Sequence, residues 1–173
     1  MQAFPRFADT TATINAPADK VFSFLDDHKN LSAHMNKSSW MMLGSRMEIY
    51  LDVAGARSVG SKFGFKGAIL GIPLAVDEVV TQRQPPQKKV WDALGEPKLW
   101  VIGRYRMGFE IMPQNIAVRL RVFIEYALPR AGLPRVLGVL FGSIYARWCT
   151  KRMVSDAERH FRHVGTGPAM SAA

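Results

Sequence analysis

LPRVLGVLFGSIYARWCTKRMVSDAERHFR, residues 133–162, reads as a single long helix. Its first half is apolar almost all round: Val136, Leu137, Val139, Leu140, Phe141, Ile144, Tyr145 and Trp148 are broken mainly by Arg135 and Arg147. A helix of that kind has two apolar faces to cover. One suits the mouth of a curved sheet, and the other must meet short helices, a ligand, a partner or a lipid surface. The uncharged run from Val136 to Ala146 falls well short of the ~20 residues that a membrane span needs. Gly138, Gly142 and Ala146 recur every fourth residue and give a smooth stripe, read as close core packing rather than helix dimerisation.

Toward the N-terminus, residues 10–15 (TTATIN) are short and β-branched and read as an edge strand. APADKVFSFLDD at 16–27 follows as a first helix. Pro17 suits its first turn, Asp19 sets a carboxylate at the positive helix end, and Ala18, Val21, Phe22 and Leu25 form one apolar stripe. The helix stops at the polar run Asp26 to Asn30, and a second short helix is expected over Leu31 to Met35.

Between the helices the apolar period drops to two. Met47, Ile49, Leu51 and Val53 alternate with Arg46, Glu48, Tyr50 and Asp52, and Phe63 and Phe65 alternate with Lys62 and Lys66. After an apolar bend at Leu70 to Pro73, Leu74, Val76 and Val80 share one face of a strand that ends at Pro85-Pro86. Residues 100–112 and 116–128 read as a hairpin across Pro113-Gln114-Asn115. With Gln114-Asn115 as the turn, Glu110 faces Arg119 and Arg104 faces Glu125 on the outside, while Tyr105, Met107 and Phe109 oppose Ile124, Val122 and Leu120 inside.

A chain of 173 residues suits one domain and can bury a sizeable core. The domain is read as residues 1–163, and the breaker-rich residues 164–173 as a flexible tail. The N-terminal residues hold no apolar stretch suited to a secretory signal, which makes the cytoplasm the expected location. Cys149 is the sole cysteine and is read as packing. The net charge of +9 is scattered without a long basic run, so it reads as a solvated cationic surface, and nucleic acid is not an expected partner.

APADKVFSFLDD, the strand start at Val59-Gly60, VTQRQPP at 80–86 and the C-terminal helix together resemble the START-like helix-grip (SRPBCC) superfamily. The resemblance spans roughly residues 8–162. It implies an α+β helix-grip fold: a curved antiparallel sheet of about seven strands around a long C-terminal helix, with two short helices after the first strand. It also implies an internal cavity whose ligand varies, which includes lipid-transfer proteins and polyketide cyclases and dehydratases.

By strand phase the cavity would be lined by Met47, Ile49, Phe63, Phe65, Leu74 and Val76, then by Met107, Phe109, Leu120, Val122 and Ile124. Leu137, Phe141, Tyr145 and Trp148 would close it from the helix. Such a lining suits a bulky hydrophobic small molecule such as a lipid, an isoprenoid or an aromatic polyketide. Glu78 shares the inward phase, so either its carboxylate enters the cavity, or a bulge or an arginine turns it away. Tyr105 is the second polar group facing inward. His28 and His34 stand six residues apart on no common helical face, and no carboxylate or cysteine completes a set with His160 and His163, so neither a metal nor a cofactor is expected.

Three functions follow: a carrier or sensor of a hydrophobic molecule, a cyclase or dehydratase using Glu78 and Tyr105, or a peripheral membrane protein. In the third, Arg130, Arg135, Arg147, Lys151 and Arg152 meet anionic head groups and the bend at 69–74 inserts.

Overall fold

Alternation of inward and outward side chains builds one seven-stranded antiparallel sheet, in the order β1-β7-β6-β5-β4-β3-β2. The computed structural model describes residues 4–27, 30, 46–69 and 72–164. The strands are β1 (Arg6–Ile14), β2 (Arg46–Leu51), β3 (Lys62–Ile69), β4 (Ile72–Gln84), β5 (Lys88–Lys98), β6 (Tyr105–Gln114) and β7 (Ala117–Tyr126). Helix α1 (Ala18–Asp26) follows β1, and α2 (Gly132–Val164) ends the described chain. The expected helix at Leu31 to Met35, His28, His34, bend residues Leu70 and Gly71, and the tail beyond Val164 lie outside the described residues.

Strands β2 to β7 form a meander, and β1 returns to pair with β7 along its whole length. Register shifts between Ala75 and Asp77 and between Val80 and Gln82 interrupt the β4–β5 ladder. Irregularities of this kind bend a strand and raise its twist, which helps the sheet to wrap.

The alternating segments leave residues 87–99 unassigned, and this is where β5 lies. Its pattern is masked because Lys89 is fully buried beside the buried Val90 and Trp91, so the polar/apolar alternation fails at the strand's start. The β6–β7 hairpin also departs from expectation. Its register is Glu110 to Arg121 and Arg106 to Glu125, because the turn residues are Asn115-Ile116, with Asn115 at φ 51°. Asparagine tolerates that left-handed conformation better than most residues. A slip of two residues preserves both faces, so Met107 still faces inward, opposite Ile124, and Phe109 faces inward, opposite Val122. On the outer face a charge ladder crosses four strands: Lys88 to Glu110 (3.0 Å), Glu110 to Arg121 (3.0 Å) and Arg121 to Asp9 (2.9 Å).

Helix α1 buries Val21, Phe22 and Leu25 as its stripe requires, with Pro17 just ahead of the helix as N-cap. It also buries Asp26. The Asp26 carboxylate accepts from Arg83 Nη2 at 2.8 Å and Nε at 3.3 Å, and from Lys89 Nζ at 2.7 Å. Burial opposes the ionised form of Asp26, but hydrogen bonds and charge from Arg83 and Lys89 outweigh it and hold the carboxyl below its usual range. This cluster fastens the end of α1 to the inner face of β4 and β5.

Helix α2 lies on the sheet through small side chains. Gly138, Gly142, Ala146, Cys149, Met153, Val154 and Ala157 are buried along it. A Cβ at Gly142 would stand 2.9 Å from the Val101 carbonyl oxygen, and one at Gly138 would stand 3.0 Å from the same atom. The stripe is therefore a seat for backbone, as expected.

Two outcomes follow from this packing. Gly142→Leu is expected to cost about 1–3 kcal/mol through overpacking, read from urea unfolding; an unchanged midpoint would show that α2 is not held so close. Asp26→Leu strands the buried Lys89 ammonium and is expected to cost about 3–5 kcal/mol, whereas Asp26→Leu/Lys89→Met should recover most of that loss. Recovery failing in the double variant would mean that the loss comes from α1 packing and not from charge.

Candidate functional site

Glu78 sits on β4 opposite Phe63 of β3 and Ala93 of β5, in the inward phase, and is 2% exposed. Of the two positions open to it, it takes the interior one. Tyr105, the first residue of β6, donates its hydroxyl to Glu78 Oε1 at 2.6 Å. Glu78 Oε2 is buried with no hydrogen-bond partner among the described residues. A buried polar atom left in this way costs about 1–3 kcal/mol, so its persistence asks for an explanation.

Burial pushes the Glu78 carboxyl up to about 8, against the hydrogen bond of Tyr105 and the smaller opposing influence of the Trp91 indole. At neutral pH the group is therefore mainly the uncharged acid. With Oε1 engaged by the Tyr105 hydroxyl, the acid proton belongs on Oε2, which makes that atom a donor without an acceptor. Tyr105 is itself held well above its ordinary value by burial and by Glu78, so it stays a donor. Tyr145 of α2 is raised by Cys149, burial and Glu78, in that order. Burial drives the Cys149 thiol up to about 12, which fits packing rather than nucleophilic chemistry. The four groups make one uncharged polar spot in an apolar interior.

The residues expected to line a cavity take several places. Phe63, Phe65, Val76, Met107, Phe109, Leu120, Val122 and Ile124 are buried in a common cluster. Phe109 meets Phe22 of α1 at 5.5 Å between ring centroids, so that end of the cluster is packed under the helix. Ile49, Leu74, Leu137, Tyr145 and Trp148 are half-buried, and Tyr145 stacks with Trp148 at 6.0 Å. Met47 lies on β2, where its side chain is outside the described residues. Phe141 is 49% exposed, and Gly142 faces the core at that turn in its place. The helix approaches too closely there for a large side chain to point inward.

Trp91 is the site residue that periodicity misses. It is 3% exposed, edge-on to Phe63 at 6.3 Å and to Phe109 at 6.5 Å, and its indole acts on the Glu78 carboxyl. Only the phase it shares with Lys89 could have flagged it, and a lysine marks the outer face in most strands. His160 stacks on Phe24 at 4.2 Å, and among the described residues no group of three His, Cys, Asp or Glu side chains could hold a metal. A separate cavity of about 220 Å³ opens between the end of β1 and the last turns of α2, at Thr13, Asn15, Glu158 and Phe161.

No family model matches the sequence, and no curated protein matches it. Solved structures do resemble it. TTHA0849 from Thermus thermophilus is 12% identical with a TM-score of 0.66, over 93% of this chain and 100% of that one. The Zhui aromatase/cyclase from Streptomyces sp. R1128 is 15% identical with a TM-score of 0.63, over 92% and 98%. Ara h 8.0201 is 10% identical with a TM-score of 0.57, over 91% and 98%. These likenesses span nearly whole chains at low identity, and with the observed sheet and helix they establish that the chain has the helix-grip α+β fold.

Proposed function

We propose that the chain binds a hydrophobic small molecule through the interior face of the sheet, with Glu78 as its polar anchor. The observation that carries this reading is the buried Glu78 Oε2, which has no hydrogen-bond partner among the described residues, beside the Tyr105 hydroxyl. A ligand that is apolar apart from one carbonyl or ether oxygen would satisfy that atom. Burial of its apolar surface would supply most of the affinity. The structural likeness to an aromatase/cyclase and to Ara h 8.0201 supports the fold in which this interior face lies.

The same acid favours a second reading, turnover of a cyclase or dehydratase type. A carboxylic acid kept neutral by apolar surroundings can donate a proton near pH 7. In that reading Glu78 protonates a departing hydroxyl, which leaves as water, and the resulting carboxylate takes a proton from the neighbouring carbon. Tyr105 would hold Glu78 in orientation.

Native mass spectrometry of freshly purified protein, followed by organic extraction, is expected to reveal a stoichiometric apolar molecule. Glu78→Gln keeps an uncharged donor and should retain that molecule, whereas Glu78→Met should weaken its binding by about tenfold, the worth of one hydrogen bond. Equal binding by both variants would remove Glu78 from the site. Turnover of the extracted molecule by the native protein and not by Glu78→Gln would select the enzyme.

Because Glu78 titrates near 8, the donor disappears as pH rises through that value. Affinity for the extracted ligand should hold from about pH 6 to about 7.5 and then fall by up to about tenfold per pH unit. Glu78→Gln should bind with no such fall in a fluorescence or calorimetric titration. A native profile that stays flat to about pH 9.5, well beyond the titration of the acid, would contradict the anchor.

A further inference from the structure

The side of α2 turned away from the sheet carries the largest run of exposed apolar side chains in the described residues. Leu133, Val136, Leu140 and Ile144 are 60%, 56%, 58% and 57% exposed, and Val139 and Phe141 flank them at 52% and 49%. Their outward placement follows from the close seat of Gly138 and Gly142. Stepping by three and four residues, the row Leu133, Val136, Leu140 and Ile144 continues into the exposed Arg147 and Lys151. A contiguous apolar row of this length on a surface helix marks an interaction site.

Charge selects the occupant. From Tyr126 to Ser155 the chain has no acidic residue and five bases: Arg130, Arg135, Arg147, Lys151 and Arg152. Among the described residues Glu96 reaches Arg130 at 2.8 Å in a largely exposed pair, and Arg135 donates to the Pro129 backbone carbonyl at 3.4 Å. A second copy laid antiparallel on this row would bring bases against bases, with no acid on this stretch of either helix to relieve them. A peptide helix could match the apolar row, but it would need acidic flanks supplied from elsewhere. A bilayer with anionic head groups answers both features at once: acyl chains take the apolar row and phosphates or carboxylates take the cations.

We propose that α2 docks the protein on anionic membrane surfaces, with Leu133, Leu140 and Ile144 entering the interface and Arg147 and Lys151 meeting head groups. The inserting element is the outer face of this helix. The docking is peripheral, since no helix among the described residues is long and apolar enough to cross a membrane. It is independent of the Glu78 anchor.

The test is co-sedimentation of the full chain with phosphatidylcholine vesicles, with and without phosphatidylserine, at low and high salt. Binding is expected only with phosphatidylserine and should weaken with salt. Leu140→Asn/Ile144→Asn should abolish it, and Arg147→Glu/Lys151→Glu should reduce it at least about tenfold. All four side chains lie on the exposed face, and circular dichroism checks that each variant stays folded. Glu78→Gln should sediment like the native protein. No sedimentation, equal sedimentation with neutral vesicles, or binding untouched by both double variants would overturn the proposal. So would a dimer in light scattering that Leu140→Asn/Ile144→Asn dissociates, since the row would then serve a second copy.

Discussion

The structure depends on how closely α2 lies against the Val101 carbonyl and the end of β7. Gly138 and Gly142 leave room for backbone alone at that contact. Close approach sorts the helix's side chains by size. Small residues take the seat, Tyr145 is held near the Glu78 carboxyl with Cys149 beside it, and bulky aliphatic residues are displaced outward. The interior polar spot and the outward apolar row are thus two results of one packing constraint.

The interior treats its buried charges in two different ways. Asp26 and Lys89 are paired, with Arg83 reaching in from a half-exposed position, so each ion has a counter-ion and hydrogen bonds. Glu78 meets a phenol and an indole where Asp26 meets cations, and burial keeps it protonated. The first solution is a fastening. It joins α1 to β4 and β5 and spends its donors and acceptors on the fold. The second leaves one atom of hydrogen-bonding capacity unused beside apolar walls, and the proposed binding reading rests on that atom.

The two surfaces suggest a division of labour along α2. Its inward side bears on the interior where the proposed small molecule would reside, and its outward side carries the exposed apolar row.

Most of the elements and of their faces were legible in the chain because they rest on local periodicity. The long terminal helix, the α1 stripe of Val21, Phe22 and Leu25, the inward phase of Phe63, Phe65 and Val76, and the glycine stripe all follow from spacing alone. Even with the hairpin register displaced, its faces stay correct, because the shift is two residues and strand side chains repeat every two. Contacts between distant residues decided the rest. Strand β5 was hidden because Lys89 is neutralised by Asp26, 63 positions away, and a buried lysine has no local signature. The Glu78 acid is defined by Tyr105, 27 positions away, and by the burial that Trp91 and Phe63 provide. Phe141 faces out because of backbone proximity that no periodicity encodes. Local spacing can say which residues share a side; only the packed structure sets how near that side comes to another chain segment, and hence which groups keep their charge.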